Sequence, residues 1–205
     1  MNQPGSAKER WDERYDDEDY VFGIEPNDFL RDHVTALPPG DVLCLADGEG
    51  RNSVFLAGTG RRVTSVDLSP RGVSKALRLA DERGVSVDAR VGDLATYDIG
   101  VEQWDGVVSI FAHMPVSVRS ALHRRVVDAL RPGGVFLLEA YTPDQIGRGT
   151  GGPQSVALTM SLRDLIVELE PLEMLHAIET ERYVAEGSGH SGIAAVVQVI
   201  ARKAD

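Results

Sequence analysis

The sequence holds one cysteine in 205 residues, which excludes an internal disulfide framework. That residue, Cys44, stands inside an apolar run, where a free cysteine reads as a small buried hydrophobe. No apolar run reaches membrane-spanning length. The stretch from Met1 to Asp19 is polar and charged, the pattern of neither a secretory signal nor a transit peptide, and a cytoplasmic location is expected. Basic residues are in deficit: 21 Lys and Arg against 32 Asp and Glu give a formal net charge of −11. Such a chain is repelled by nucleic acid unless it carries a local basic patch. The densest basic cluster, Arg119, His123, Arg124 and Arg125, falls on an expected amphipathic helix and reads as its solvated face. The acidic run Asp16–Asp19 reads as solvated too; it has no His or Cys nearby, and no metal site is expected. No glycine-rich loop ends in Gly-Lys-Ser/Thr, which disfavours a nucleoside triphosphate. Neither an internal repeat nor a low-complexity segment is present, and the length fits one domain.

What is present is a regular alternation of strands and helices. The most informative stretch is Val42–Ser53, where an apolar run stops at Asp47-Gly48-Glu49-Gly50 and a helical pattern follows. A strand, a tight glycine turn and a helix N-terminus in that order are the start of a Rossmann-like unit. Asp67 lies twenty residues beyond Asp47 at the end of a second apolar run, placed to accept hydrogen bonds from both hydroxyls of an adenosine ribose.

The remaining elements follow from caps and periodicity. Asn27 caps a helix over 27–36. Strands are expected at 42–46, 62–67, 85–91, 106–110 and 135–140. Helices are expected at 52–58, at 116–130, at 161–168 and from the Ser69-Pro70 cap to Gly84. Arg131-Pro132-Gly133-Gly134 ends the helix over 116–130. A Gly/Pro-rich loop runs over 141–153, long enough to be functional. Two last strands occupy 172–183 and 193–202. Only nine residues separate them, too few for a parallel crossover, so as neighbours they pair antiparallel. The expected fold is α/β: a Rossmann-like three-layer sandwich around a seven-stranded, mostly parallel sheet with one antiparallel terminal strand.

In such a sheet, ligands bind outside the carboxyl ends of the strands. Residues there are Asp47, Gly48, Glu49, Gly50 and Asn52 after the first strand, Asp67 and Leu68 after the second, Asp93 and Leu94 after the third, and Phe111, Ala112 and His113 after the fourth. Glu139 and Tyr141 follow the fifth. Gly48 and Gly50 offer bare backbone, Asp93 an acceptor for the adenine amine, and Leu68 and Leu94 the faces that sandwich its ring.

This order of motifs, with Gly92-Asp93-Leu94 and Leu130-Arg131-Pro132-Gly133-Gly134, resembles a class I S-adenosylmethionine-dependent methyltransferase over residues 27–203. Trp11-Asp12-Glu13-Arg14-Tyr15, Tyr20–Leu30, Gly48–Asn52, Tyr141–Gln145, Thr150–Pro153, Glu186-Gly187 and His190-Ser191-Gly192 resemble the bacterial tellurite-resistance and thiopurine-methyltransferase-like branch. The chain departs from the superfamily's first motif: Cys44 and Ala46 stand where Asp and Gly are usual, and Asp47 is placed to take over contact with the cofactor's methionine end.

The resemblance implies S-adenosylmethionine as cofactor and methyl transfer to a small-molecule acceptor, a thiol or a chalcogen oxyanion, with no nucleic acid or membrane partner. A monomer or homodimer is expected. It also implies an N-terminal lid or arm over 1–26 and a methyltransferase domain over 27–205. His113, His190 and Tyr141 are the candidate catalytic residues; each is otherwise a structural residue. Arg14, Arg51 and Arg148 are candidates for holding an anionic group. Two other readings stand beside this one: a non-catalytic S-adenosylmethionine-binding sensor or partner subunit, and an NAD-dependent dehydrogenase.

Overall fold

A computed structural model describes residues 6–205; the first five residues of the expected arm lie outside the described residues. The sheet has seven strands: β1 (Asp41–Leu45), β2 (Arg62–Asp67), β3 (Val87–Val91), β4 (Trp104–Ile110), β5 (Leu130–Tyr141), β6 (Glu173–Glu186) and β7 (His190–Arg202). Their order across the sheet is β3-β2-β1-β4-β5-β7-β6. The β1–β2, β1–β4, β2–β3 and β4–β5 pairs are parallel. β7 runs antiparallel to both β5 and β6. The antiparallel strand is thus the last in the chain but sits inside the sheet, and β6 forms the edge.

Among the described residues six α-helices accompany it: α1 (Ala7–Arg14), α2 (Asp28–Asp32), α3 (Arg51–Gly58), α4 (Pro70–Glu82), α5 (Val116–Ala129) and α6 (Leu162–Glu168). Asn27 caps α2 by accepting from the Leu30 amide at 3.0 Å. Ser69 caps α4, accepting from the Gly72 amide at 3.1 Å, with Pro70 at its first position. The helix expected over 27–36 stops at Asp32 and continues as a 3-10 turn, Val34–Ala36.

Alternation along each strand makes the three layers. Leu43 and Leu45 join Val107, Phe136 and Leu138 in a core under α5 and α6. Val42 and Cys44 point the other way, into a core with Phe29, Val54, Leu56 and Leu79 from α2, α3 and α4. Cys44 is the buried hydrophobe its neighbours require, and burial pushes its thiol up. Among the described residues no helix is long and apolar enough to cross a membrane.

Two expectations are corrected at the sheet's far end. The last hairpin has a link of only Gly187–Gly189, because Glu186 already pairs with His190. Gly187 adopts φ +59°, and pairing runs on into what reads as loop. Arg131–Gly134 belongs to β5, not to a helix terminator, with Leu130 paired to Trp104 across a register irregularity.

The basic cluster on α5 is a solvated face only in part: Arg124 is exposed and Arg125 half-buried, but Arg119 and His123 face inward. Arg119 is 1% and His123 2% exposed. Arg119 donates from Nε and Nη2 to Glu168 at 2.6–3.1 Å and from Nη1 to the Thr159 carbonyl at 2.8 Å. His123 Nδ1 lies 2.7 Å from the same carboxylate. Periodicity cannot tell a solvated charge from one met by a partner forty residues on, and α6 supplies that partner. Burial pushes the Glu168 acid up, but hydrogen bonds from His123 and Arg119 outweigh it and hold the acid below its usual value. A carboxylate depressed on folding contributes stability that is complete above its unfolded pKa and lost as pH falls through the folded one. Denaturation followed against pH should therefore show the protein losing stability on acidification below about pH 4.5 more steeply than Glu168→Gln; parallel curves would remove Glu168 as a source. Arg119→Ala should destabilise by about 3–5 kcal/mol, since it strands a largely buried carboxylate.

Candidate active site at the carboxyl ends of the strands

β1 runs into Ala46 and Gly48, both with positive φ (+49° and +59°), and Gly50 at φ +90° opens α3. This turn aims the Gly48 amide at Asp67, which accepts from it through Oδ2 and from the Ser69 amide through Oδ1, each at 2.8 Å. Burial raises the Asp67 acid, and the amides of Ser69, Gly48 and Leu68 pull it back. A carboxylate has about four lone-pair sites, so Asp67 retains acceptor capacity at the end of β2, with half-buried Leu68 beside it. That is the chemistry a ribose diol requires, and these residues fit an adenosine cofactor. Asp93 is exposed after β3, its carboxylate accepting from the Ala95 amide at 2.9 Å. Leu94 is buried in the core with Val66, Ile99 and Val107.

Several residues expected to touch a cofactor are occupied otherwise. A Cβ on Gly48 would come 2.5 Å from the Tyr15 hydroxyl, and one on Gly50 2.5 Å from the Ala76 Cβ. The first glycine admits the N-terminal arm and the second lets α3 meet α4. Glu49 pairs with Lys75 at 2.6 Å and accepts from the Phe22 amide at 3.4 Å. Lys75 also donates to the carbonyls of Asp17 and Asp19 at 2.9 and 2.6 Å, so Glu49 anchors the arm through its acidic run. Asn52 accepts from the Asn27 amide at 3.0 Å. Asp47 accepts from the Ser53 hydroxyl; burial, opposed by that bond and helped by Asp67, raises its acid to about 7.

The arm covers this face. Trp11 and Tyr15 stack at 5.5 Å, both meet Phe22 at 6.4 Å, and the Ser69 hydroxyl donates to Asp12. Beyond β1, the ends of β4, β5 and β7 form an aromatic floor. Phe111, in a left-handed conformation at φ +52°, stacks on Tyr141 at 4.4 Å. His190 meets Tyr141 edge-on at 5.2 Å, Phe111 at 4.9 Å and Phe22 at 4.6 Å. Buried Ala112 follows Phe111.

The three candidate catalytic residues separate here. His113 is held at both nitrogens: Nδ1 lies 2.8 Å from the Leu158 carbonyl, and the Tyr141 amide donates to Nε2 at 3.4 Å. Burial, with His190 adding, pushes it down to about 4. A neutral ring whose acceptor nitrogen is taken does not collect a proton, so His113 is a structural support. Tyr141 is not in a loop but at the end of β5, opposite Val196. It is fully buried, and burial with Glu186 and Glu139 pushes its phenol up, so it does not ionise near neutrality. His190 opens β7 rather than lying in a loop, and its Nδ1 stands 3.6 Å from Glu186. Burial lowers its pKa, against the pull of Glu186. Of these three, only His190 combines an imidazole whose pKa is lowered with a ring that is not held at both nitrogens, its nearest charged neighbour being the Glu186 carboxylate at 3.6 Å.

Sequence reading gave no role to the buried polar network behind it. Glu139, fully buried, accepts from Arg182 at 2.5 and 2.7 Å, Gln198 at 2.7 Å and Asn27 at 2.6 Å. Glu186 accepts from Arg51 at 2.6 Å and Asn27 at 2.8 Å. Burial opposes its ionisation, but His190 and Arg51 hold it at about 2. The available signal was a carboxylate inside the apolar β5 run, which buried chains tolerate only with partners.

The central part of the chain, residues 42–134, matches the family model described as a methyltransferase domain. A 2-heptyl-1-hydroxyquinolin-4(1H)-one methyltransferase from Mycobacteroides abscessus is 26% identical over 154 residues, 73% of this chain and 66% of that protein. The chain spans about half the length of other curated relatives it matches. A solved structure described under the conversion of a disulfide bond into a thioacetal group during echinomycin biosynthesis is similar with a TM-score of 0.78 and 23% identity, over 97% of this chain and 92% of that one. The N-methyltransferase NodS from Bradyrhizobium japonicum, solved with S-adenosylhomocysteine, is similar with a TM-score of 0.71 and 15% identity, over 97% and 98% of the two chains.

Proposed function

We propose that this protein transfers a methyl group from S-adenosylmethionine to a small acceptor, a thiol or a related chalcogen nucleophile, beneath an N-terminal arm spanning residues 1–26. The observation that carries the reading is His190: an imidazole of lowered pKa set in an aromatic floor and joined through Glu186 to Arg51, the first residue of the helix that follows the glycine turn. The bound cofactor would supply an electrophilic methyl on a sulfonium. Asp67 binds the ribose, and Asp93 and Leu68 take the adenine side. Phe22, Phe111 and Tyr141 exclude water from the floor. His190 accepts the acceptor's proton, and Glu186 stabilises the resulting imidazolium. Positioning two reactants in line contributes roughly 7–11 kcal/mol to such a displacement, and a soft nucleophile needs only the proton removed besides.

The sulfur chemistry in the description of the thioacetal-forming neighbour, and the motifs resembling the tellurite-resistance and thiopurine branch, support a soft acceptor. The net charge of −11 disfavours nucleic acid. The test is S-adenosylhomocysteine production over a panel of thiols, selenite and tellurite. Turnover on at least one is the expected result. Tight cofactor binding with no turnover on any would support the sensor or partner-subunit reading instead.

A further inference from the structure

Among the described residues, Arg51 Nη1, the Tyr141 hydroxyl and His190 Nδ1 are buried without a hydrogen-bond partner, and the three side chains are linked through Glu186 and the His190 ring. Arg51 is 7% exposed. Its Nη2 is committed to Glu186 at 2.6 Å, the same carboxylate that stands 3.6 Å from His190. The Tyr141 and His190 rings are 5.2 Å apart. An unpaired guanidinium N–H and an unpaired phenol O–H are costly to bury, and the partner both can share is an oxygen bearing negative charge.

The charges around them agree. Glu139 and Glu186 are matched by Arg182 and Arg51, which leaves the inner cluster neutral. Arg14, from the arm, lies over Trp11 and Phe22 and has no ion pair among the described residues. Phe22 in turn touches His190, so one uncompensated guanidinium overlooks the same floor. Arg148, the third arginine singled out in the sequence, is taken by Glu181 at 2.5 Å.

We infer that Arg51 and Tyr141 seat an anionic oxygen group of the methyl acceptor, with Arg14 supplying the balancing charge when the arm is down. The acceptor class this names is a small thiol carrying a carboxylate a short distance from its sulfur. The carboxylate docks on Arg51 and Tyr141 while the thiol faces His190. This rests on the methyl-transfer reading above.

Two arms test it with 3-mercaptopropionate and its neutral counterpart 2-mercaptoethanol. In turnover with S-adenosylmethionine, kcat/KM should favour 3-mercaptopropionate by about tenfold or more, the scale of one charge-assisted bond. Arg51→Met should abolish the preference, Arg51→Lys should restore part of it, and Tyr141→Phe, which removes only the hydroxyl, should lower it about threefold. In calorimetry on the S-adenosylhomocysteine-loaded protein, the same order of preference should appear without turnover. That arm separates the two failures: a binding preference without methylation would refute the reaction and keep the seat. A preference near one in both arms, or one unmoved by Arg51→Met and Tyr141→Phe, would overturn the seat. So would Arg51→Met weakening S-adenosylhomocysteine while leaving the thiol preference intact, because Arg51 would then hold the cofactor's own carboxylate.

Discussion

Asp67→Ala should weaken S-adenosylhomocysteine binding roughly ten- to 150-fold, the equivalent of about 1.5–3 kcal/mol for hydrogen bonds to a charged acceptor. The carboxylate is buried, held by the Gly48 and Ser69 amides at 2.8 Å, and retains lone pairs at the end of β2. Removing it deprives a ribose diol of its partner and leaves two amides without theirs. Asp67→Asn keeps one oxygen acceptor and should fall between wild type and Asp67→Ala. Thermal unfolding without ligand separates a loosened turn from a lost contact: a variant that unfolds like the wild type yet binds weakly has lost the contact. Equal affinity of wild type and Asp67→Ala would remove Asp67 from the site.

The second large effect is on turnover. His190→Gln should lower kcat about 100-fold or more, the lower range for a lost general base, while cofactor affinity changes little. The pH profile distinguishes a base from a prop. Burial lowers the His190 pKa below its usual 6.5, so the imidazole is already in base form at neutral pH. Wild-type rates should then rise on leaving acid pH and be flat from about pH 7 upward. In His190→Gln the acceptor must ionise unaided, and the rate should climb toward the thiol's own pKa of about 8.5. A variant that keeps the flat profile, or that loses cofactor binding in step with turnover, would make His190 structural.

Most of the frame was legible because it is local. Asn27, Ser69-Pro70 and Gly84 announce helix ends through caps that act within a few residues, and the short last link dictates antiparallel pairing whatever else the chain does. The position of Asp67 at the end of β2 was legible because a strand's last residue can be read from where its apolar run stops. What could not be read depends on distant partners. Arg119 and His123 have the spacing of a solvated stripe, and only Glu168, packed in from α6, makes them buried. His113 and His190 look equivalent as single histidines near a site; the Leu158 carbonyl and Tyr141 amide separate them by occupying both nitrogens of one. Glu49, Gly50 and Asn52 lie in the motif, but their contacts run to Lys75, Ala76 and Asn27, the last 25 residues away. The Glu139–Arg182–Glu186–Arg51 network joins β5, β6 and α3, and no periodicity reports such a meeting.

Calorimetric titration with S-adenosylmethionine, S-adenosylhomocysteine and NAD, carried out beside an assay for S-adenosylhomocysteine release in the presence of a thiol, bears most directly on the assignment. Binding of both sulfur cofactors in preference to NAD, abolished or strongly weakened in Asp67→Ala, with thiol-dependent release of S-adenosylhomocysteine, is the predicted result. NAD binding more tightly than S-adenosylmethionine, or no binding of either sulfur cofactor by the folded protein, would contradict it.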